Sequence, residues 1–119
     1  MISSYKDLIV WQKSVDLVME IYRLTNLFPK SELYGITSQI RRSAVSIPSN
    51  IAEGFARRYR REYSQFVAIA FGSGAELETQ LLLSKKLQLA SAEGFEKSEA
   101  LLDEVMRMLN VLISKLETN

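Results

Sequence analysis

The sequence predicts an all-α protein: an antiparallel, up-down-up-down four-helix bundle in one domain over residues 1–119. Three observations predict it. Apolar residues recur in steps of three and four through most of the chain, which is the period of a helix and not of a strand. The periodic stretches are parted by short breaks, near Pro29, Tyr59 and Ser91. Only 2 prolines and 5 glycines occur in 119 residues, too few for long irregular loops. Four helices joined by short links must each run antiparallel to their neighbour in sequence.

The first helix is expected to begin near Ser4 to Asp7, where several side chains can cap it. Leu8, Trp11, Val15, Val18 and Tyr22 form one apolar stripe, and Val10, Leu17, Ile21 and Leu24 form a second beside it. So wide a face touches more than one neighbour. The helix should end at Leu27–Phe28, because the residue before Pro29 is pushed out of the helical region.

Ser31 is placed to cap the second helix, with Glu32 in its first turn, and the helix should reach about Arg58. Its stripe is Ile36, Ile40, Ala44, Ile47 and Ile51, and Pro48 interrupts it. That proline lacks a donor and clashes with the carbonyl of Ala44, so tertiary contacts must hold the helix together. Ser43, Ser46 and Asn50 carry the polar groups that can repair the disturbed backbone. Their small size also suits a close helix crossing.

The third helix should begin at Arg61 or Glu62 and run to about Leu89, with Tyr63, Phe66, Val67, Ala70, Leu77 and Leu81 facing inward. Its centre holds Gly72 and Gly74, and each interior glycine costs about 1 kcal/mol against alanine. A close crossing with the small centre of the second helix would offset that, so Gly72→Leu is expected to cost about 1–3 kcal/mol. Ser91 should cap the fourth helix, whose seam is Phe95, Ser98, Leu102, Val105, Leu109, Leu112 and Leu116.

Composition narrows the functions. The chain has no cysteine and no histidine. No disulfide or thiolate metal site can form, and the commonest general base is missing. Glu53, Glu76 and Glu78 cannot build a ferritin-like di-metal site, which needs histidine partners. No catalytic, cofactor-binding or metal-binding residue is therefore assigned, and no cofactor is expected. Glu53 or Glu76 is expected to pair with Arg41 or Arg42, setting a register. No run of about 18 apolar residues suggests a membrane span. The N-terminus lacks a signal-peptide pattern, so a cytoplasmic protein is expected.

The net charge is only +1, but the charges are segregated. Arg41, Arg42, Arg57, Arg58, Arg60 and Arg61 lie in a span whose one acid is Glu53. From Glu93 to Glu104 the chain carries five acids against Lys97. In the antiparallel bundle, Arg57–Arg61 share an end with Lys6 and Lys115, and the acidic start of the fourth helix lies at the other end. Cations at the end of the second helix and acids at the start of the fourth also suit the helix dipoles. Tyr59 and Tyr63, interleaved with the arginines, are able to stack on bases.

The chain resembles the four-helix-bundle family encoded in intervening sequences of bacterial large-subunit ribosomal RNA genes. The matching segments are Leu8-Ile9-Val10-Trp11, Phe28-Pro29-Lys30-Ser31-Glu32, Gln39-Ile40-Arg41-Arg42-Ser43, Ser46-Ile47-Pro48-Ser49-Asn50-Ile51-Ala52-Glu53-Gly54, and Ile69-Ala70-Phe71-Gly72-Ser73 with Glu76-Leu77-Glu78-Thr79. Within them Arg42, Ser46, Pro48, Asn50, Glu53, Gly54, Gly72 and Glu76 are read as structural. Tyr59 stands where the family usually has a serine or threonine cap, and Ala56 where glycine is common.

The resemblance implies a bundle that assembles into a ring, usually a homopentamer. It also implies kinship with the accessory protein of diversity-generating retroelements, a basic pentameric barrel that binds nucleic acid and a reverse transcriptase. The expected role is non-enzymatic: an oligomer that binds nucleic acid, structured RNA or DNA, through Arg57, Arg58, Arg60, Arg61, Lys6 and Lys115. Replacing the four arginines of the turn by glutamine should leave the fold intact. The alternative is a scaffold that docks a partner protein, such as a reverse transcriptase, without touching nucleic acid. Helix one, with Trp11 and Tyr22, is the first candidate for the subunit interface.

Overall fold

The computed structural model describes residues 2–118. Near the N-terminus, Ser4 caps a single 3-10 turn, Tyr5–Asp7, its hydroxyl accepting from the Lys6 N–H at 3.1 Å. Leu8 is then extended, at φ −74° and ψ 123°, so helix α1 begins later than its capping residues suggest and spans Ile9–Thr25. It ends short of Leu27, because Asn26 closes it and the chain turns at Phe28.

The second helix departs most from expectation. Ser31 makes no cap; Lys30–Glu32 is one 3-10 turn, and Leu33–Thr37 is a wider turn. Gly35, at φ −110° and ψ −117°, breaks the helical path there. Helix α2 therefore spans Ser38–Ala56. Helix α3 follows over Arg60–Lys86 and stops before Leu89. Gln88 adopts a left-handed φ of 58°, which lets the Leu89 N–H reach the Ser84 carbonyl at 3.1 Å and close the helix end. Helix α4 spans Ala92–Glu117, capped as expected by Ser91, whose hydroxyl accepts from the Gly94 N–H at 3.3 Å.

The helices stand at the corners of a square. Each packs on its two neighbours in chain order, α4 returns to α1, and the molecule measures 46 × 23 × 20 Å. Leu17, Ile21 and Leu24 of α1 meet Ile40, Ile47 and Ile51 of α2, Val67, Leu77 and Leu81 of α3, and Phe95, Val105 and Leu109 of α4. All of these are buried. Of the two stripes on α1, the one at Val10, Leu17, Ile21 and Leu24 is core, while Leu8, Trp11 and Val18 flank it.

Pro48 sits inside α2 without ending it. The polar residues around it tie α2 to α3. The Asn50 amide donates to the Ser46 carbonyl at 2.8 Å and to the Ser46 hydroxyl at 2.9 Å. That hydroxyl bonds Ser73 of α3 at 2.8 Å. The closest approach of the two backbones lies further along. A Cβ on Gly54 would stand 2.7 Å from Phe66 Cβ and 3.2 Å from the Tyr63 carbonyl oxygen.

Gly72 corrects the sequence reading. It is exposed, and a Cβ there would meet nothing within 4 Å. Gly74 takes the packed role, against Met106 of α4. Two residues on a helix are about 200° apart, so only one of this pair can face inward.

The outer side of α3 is unusually apolar. Ile69, Leu82 and Leu83 are about half exposed, beside Ala68, Gly72 and Ala75. By length and composition α3 could cross a bilayer, but its Val67, Ala70, Gly74 and Leu77 stripe is packed in the bundle.

Candidate nucleic-acid interface

The link between α2 and α3 is three residues long, Arg57, Arg58 and Tyr59. Arg57 closes α2 in an extended conformation, and Tyr59, equally extended, precedes α3. Tyr59 makes no side-chain cap, in line with the departure from the family pattern at this position.

The four arginines divide in two. Arg57 is tied down: it pairs with Glu53 at 2.9 Å and Glu62 at 3.5 Å, and its guanidinium lies 4.8 Å from the centre of the Phe66 ring. Arg60 crosses to the end of α4, where it donates to the carbonyls of Lys115, Leu116 and Thr118. Those carbonyls are among the four that a helix end leaves without partners, so Arg60 acts as a cap for α4. Removing all four arginines would therefore disturb the bundle, contrary to the sequence expectation. Arg58 and Arg61 are exposed, and no ion pair or side-chain hydrogen bond engages either among the described residues. Tyr59 between them is 66% exposed.

The expected neighbours share this end. Lys115 lines an apolar hollow with Ile2, Asp7 and Leu8, and Lys6 lies in the adjoining 3-10 turn. Arg57, Arg58, Arg60, Arg61, Lys6 and Lys115 thus stand near Asp7, Glu53, Glu62 and Glu117, six cations against four carboxylates among the described side chains. The other end is less acidic than the start of α4 suggests. Lys85 pairs with Glu99 at 3.2 Å, Arg23 holds Glu20, and Arg23 also reaches the Gly94 carbonyl at 3.4 Å.

The register matters for electrostatics. Arg60 and Arg61 occupy the first turn of α3, where the helix dipole disfavours positive charge by about 0.3–1 kcal/mol per residue. Arg60 is compensated by three carbonyls of α4. Arg61 is not.

The other charged motif residues, Arg42, Glu53 and Glu76, are exposed. Glu53 pairs with Arg57, and not with Arg41 or Arg42 in the same subunit. Glu76 and Arg42 share a polar hollow with Gln39, Ser43, Ser46 and Ser73, yet no ion pair within 4.0 Å joins them. Arg41 instead donates to Thr25 Oγ1 at 2.9 Å and Asn26 Oδ1 at 3.1 Å, and lies 4.5 Å from the centre of the Tyr22 ring. Trp11 rests edge-on against Tyr5 at 5.2 Å. Both aromatics proposed for an interface on helix one are thus engaged within the subunit. The apolar outer surface of α3 was not among the sequence expectations. Its signal is in the sequence, since Ala68, Ile69, Leu82 and Leu83 fall outside the inward stripe of that helix.

Tyr63 packs between Gly54 and Phe55, its ring edge-on to Phe55 at 5.8 Å. Burial raises its pKa above the ordinary 10.0. The unfolded chain therefore loses this proton first as pH rises. Tyr63 adds nothing to the pH dependence below about pH 10, and stability falls as pH climbs from there through the raised folded value. Thermal melts between about pH 8 and pH 12 should show a fall that is shallower in Tyr63→Phe. Parallel curves for the two proteins would show that the phenol is not desolvated.

The family model for the 23S rRNA-intervening sequence protein matches residues 6–111. The chain belongs to this family. A solved structure of a protein of unknown function from the S23 ribosomal protein family of Bacteroides thetaiotaomicron has the same fold, with a TM-score of 0.82 and 24% identity. The match covers 88% of this chain and 98% of that one. Among curated proteins there is no significant match. As a 23S rRNA-intervening sequence protein, the chain has its matched region running from the 3-10 turn at Lys6 through most of α4.

Proposed function

We propose that this protein is a non-enzymatic, cytoplasmic subunit of a homo-oligomeric ring, a pentamer by family resemblance, that binds structured RNA or DNA through its basic end. Arg61 carries the reading. It is exposed and unpaired among the described residues, and it stands in the first turn of α3, where the dipole explanation for the cluster fails. Arg58 and the exposed ring of Tyr59 lie beside it. Guanidinium groups bind phosphates, and a tyrosine face accepts an unstacked base. Contacts of this kind position a nucleic acid without reading much sequence. A ring of parallel subunits would repeat the basic end around one face and deepen its potential. The family is named for a sequence that intervenes in 23S rRNA, and structured RNA is the first ligand to try.

The second reading, a scaffold that docks a partner protein, is favoured by the apolar outer face of α3. Fluorescence anisotropy with a labelled RNA hairpin at about 50 mM salt separates the two. Saturable binding supports the nucleic-acid reading, and its absence leaves the scaffold.

A further inference from the structure

The turn between α1 and α2 projects Tyr34, at 94% the most exposed large apolar side chain among the described residues. Leu33 beside it is exposed as well. With Tyr22, Arg41, Arg42 and Val45 they edge one open hollow. Arg41 is held in place by Thr25, Asn26 and the Tyr22 ring, while Arg42 has no ion pair among the described residues. The result is an apolar knob flanked by two positive charges.

A hollow of about 460 Å³ opens between α3 and α4. Leu81, Leu82 and Leu102 line it, with Glu78 and Glu99 among its polar residues. Leu82 continues it onto the apolar outer face of α3. This groove is apolar. Lys85 neutralises Glu99 beside it, which leaves Glu78 as the carboxylate there with no ion pair among the described residues.

Knob and groove lie toward the same end of the bundle. The end of α1, the start of α2, the end of α3 and the start of α4 share one end of the bundle. In the square, the α1–α2 side is opposite the α3–α4 side. Two unlike patches toward one end, on different sides, suit a head-to-tail contact between parallel copies. Such contacts close into a ring when the rotation between copies permits.

We propose that Leu33 and Tyr34 of one copy seat in the α3–α4 groove of the next, with Arg42 facing Glu78. The apolar fit supplies a buried aromatic anchor, and the flanking charges fix its register. This contact rests on the homo-oligomer reading above, and it keeps every basic end on the same face of the ring.

The test uses two surface variants, Tyr34→Asp and Leu82→Arg, with circular dichroism to check the fold. The parent should scatter light as a multiple of 13.6 kDa at micromolar concentration. Each variant alone should fall to 13.6 kDa, because one lacks the knob and the other the groove. Mixed, they keep one intact knob and one intact groove, so the mixture should pair at twice that mass. A monomeric parent overturns the oligomer reading and this contact together. An assembled parent with a folded Tyr34→Asp variant of unchanged mass overturns the contact alone, as does a mixture that stays monomeric. Should either variant not fold, Arg42→Glu reads the same contact. It should lower the mass by itself and recover it when Glu78→Arg is added to the same chain; an unchanged mass in the single variant overturns the contact.

Discussion

Gly54→Leu should lower the stability of the bundle by about 3 kcal/mol or more, the upper end of the overpacking range. The new Cβ would lie 2.7 Å from Phe66 Cβ and 3.2 Å from the Tyr63 carbonyl oxygen. Those atoms belong to the α3 backbone or are bonded directly to it, so no rotamer change relieves the clash. The γ and δ carbons have still less room. Replacing glycine inside a helix recovers only about 1 kcal/mol of propensity. On a domain of this size the net loss moves the midpoint of thermal unfolding by roughly 10 °C. The same substitution at Gly72, where a Cβ meets nothing within 4 Å, should leave stability unchanged or raise it by up to about 1 kcal/mol. Urea denaturation of both variants checks the pair. Equal losses at the two sites would mean that the close crossing is not at Gly54.

The arginines should separate in the same way. Arg58→Gln with Arg61→Gln removes two side chains that have no partner among the described residues, so stability should shift by no more than about 0.5 kcal/mol per site. Nucleic-acid affinity should fall at least about tenfold, since each charge-assisted contact contributes about 1.5–3 kcal/mol and 1.4 kcal/mol is a factor of ten. Arg57→Gln with Arg60→Gln should show the reverse. It breaks two exposed ion pairs and uncaps α4, costing about 1–2 kcal/mol of stability, and it spares more of the binding. Denaturation and anisotropy on the two double variants decide the matter. A folded Arg57/Arg60 variant that loses binding as fully as the Arg58/Arg61 variant would defeat the division.

The four helices were legible because the buried stripes of α1, α2, α3 and α4 keep helical spacing, and a bundle with short links has one simple topology. Helix starts were less legible. Ser31 looks like a cap, but Gly35 breaks the path behind it, and nothing local announces that a helix will not begin at Ser31. Two neighbouring glycines on α3 signalled a close approach without saying which one faces inward, and Gly74 does. The basic cluster was visible as composition. Glu53 was expected on Arg41 or Arg42, whereas its i, i+4 neighbour Arg57 takes it. The use of Arg60 was not legible, since its partner carbonyls lie on α4, more than fifty residues away in the chain. The apolar outer face of α3 lies in residues off the inward stripe, Ala68, Ile69, Leu82 and Leu83, whose exposure follows from which side of the helix packs.

The salt dependence of binding tests the central claim most directly. On duplex DNA, log K should fall with log salt by about 0.9 for each phosphate neutralised, and by about 0.7 on a single strand. A ring that presents Arg58 and Arg61 from several subunits should give a duplex slope steeper than about −2, more than the two free arginines of one link can supply. No binding at about 50 mM salt, or an affinity that does not change with salt, would contradict a phosphate-binding basic face.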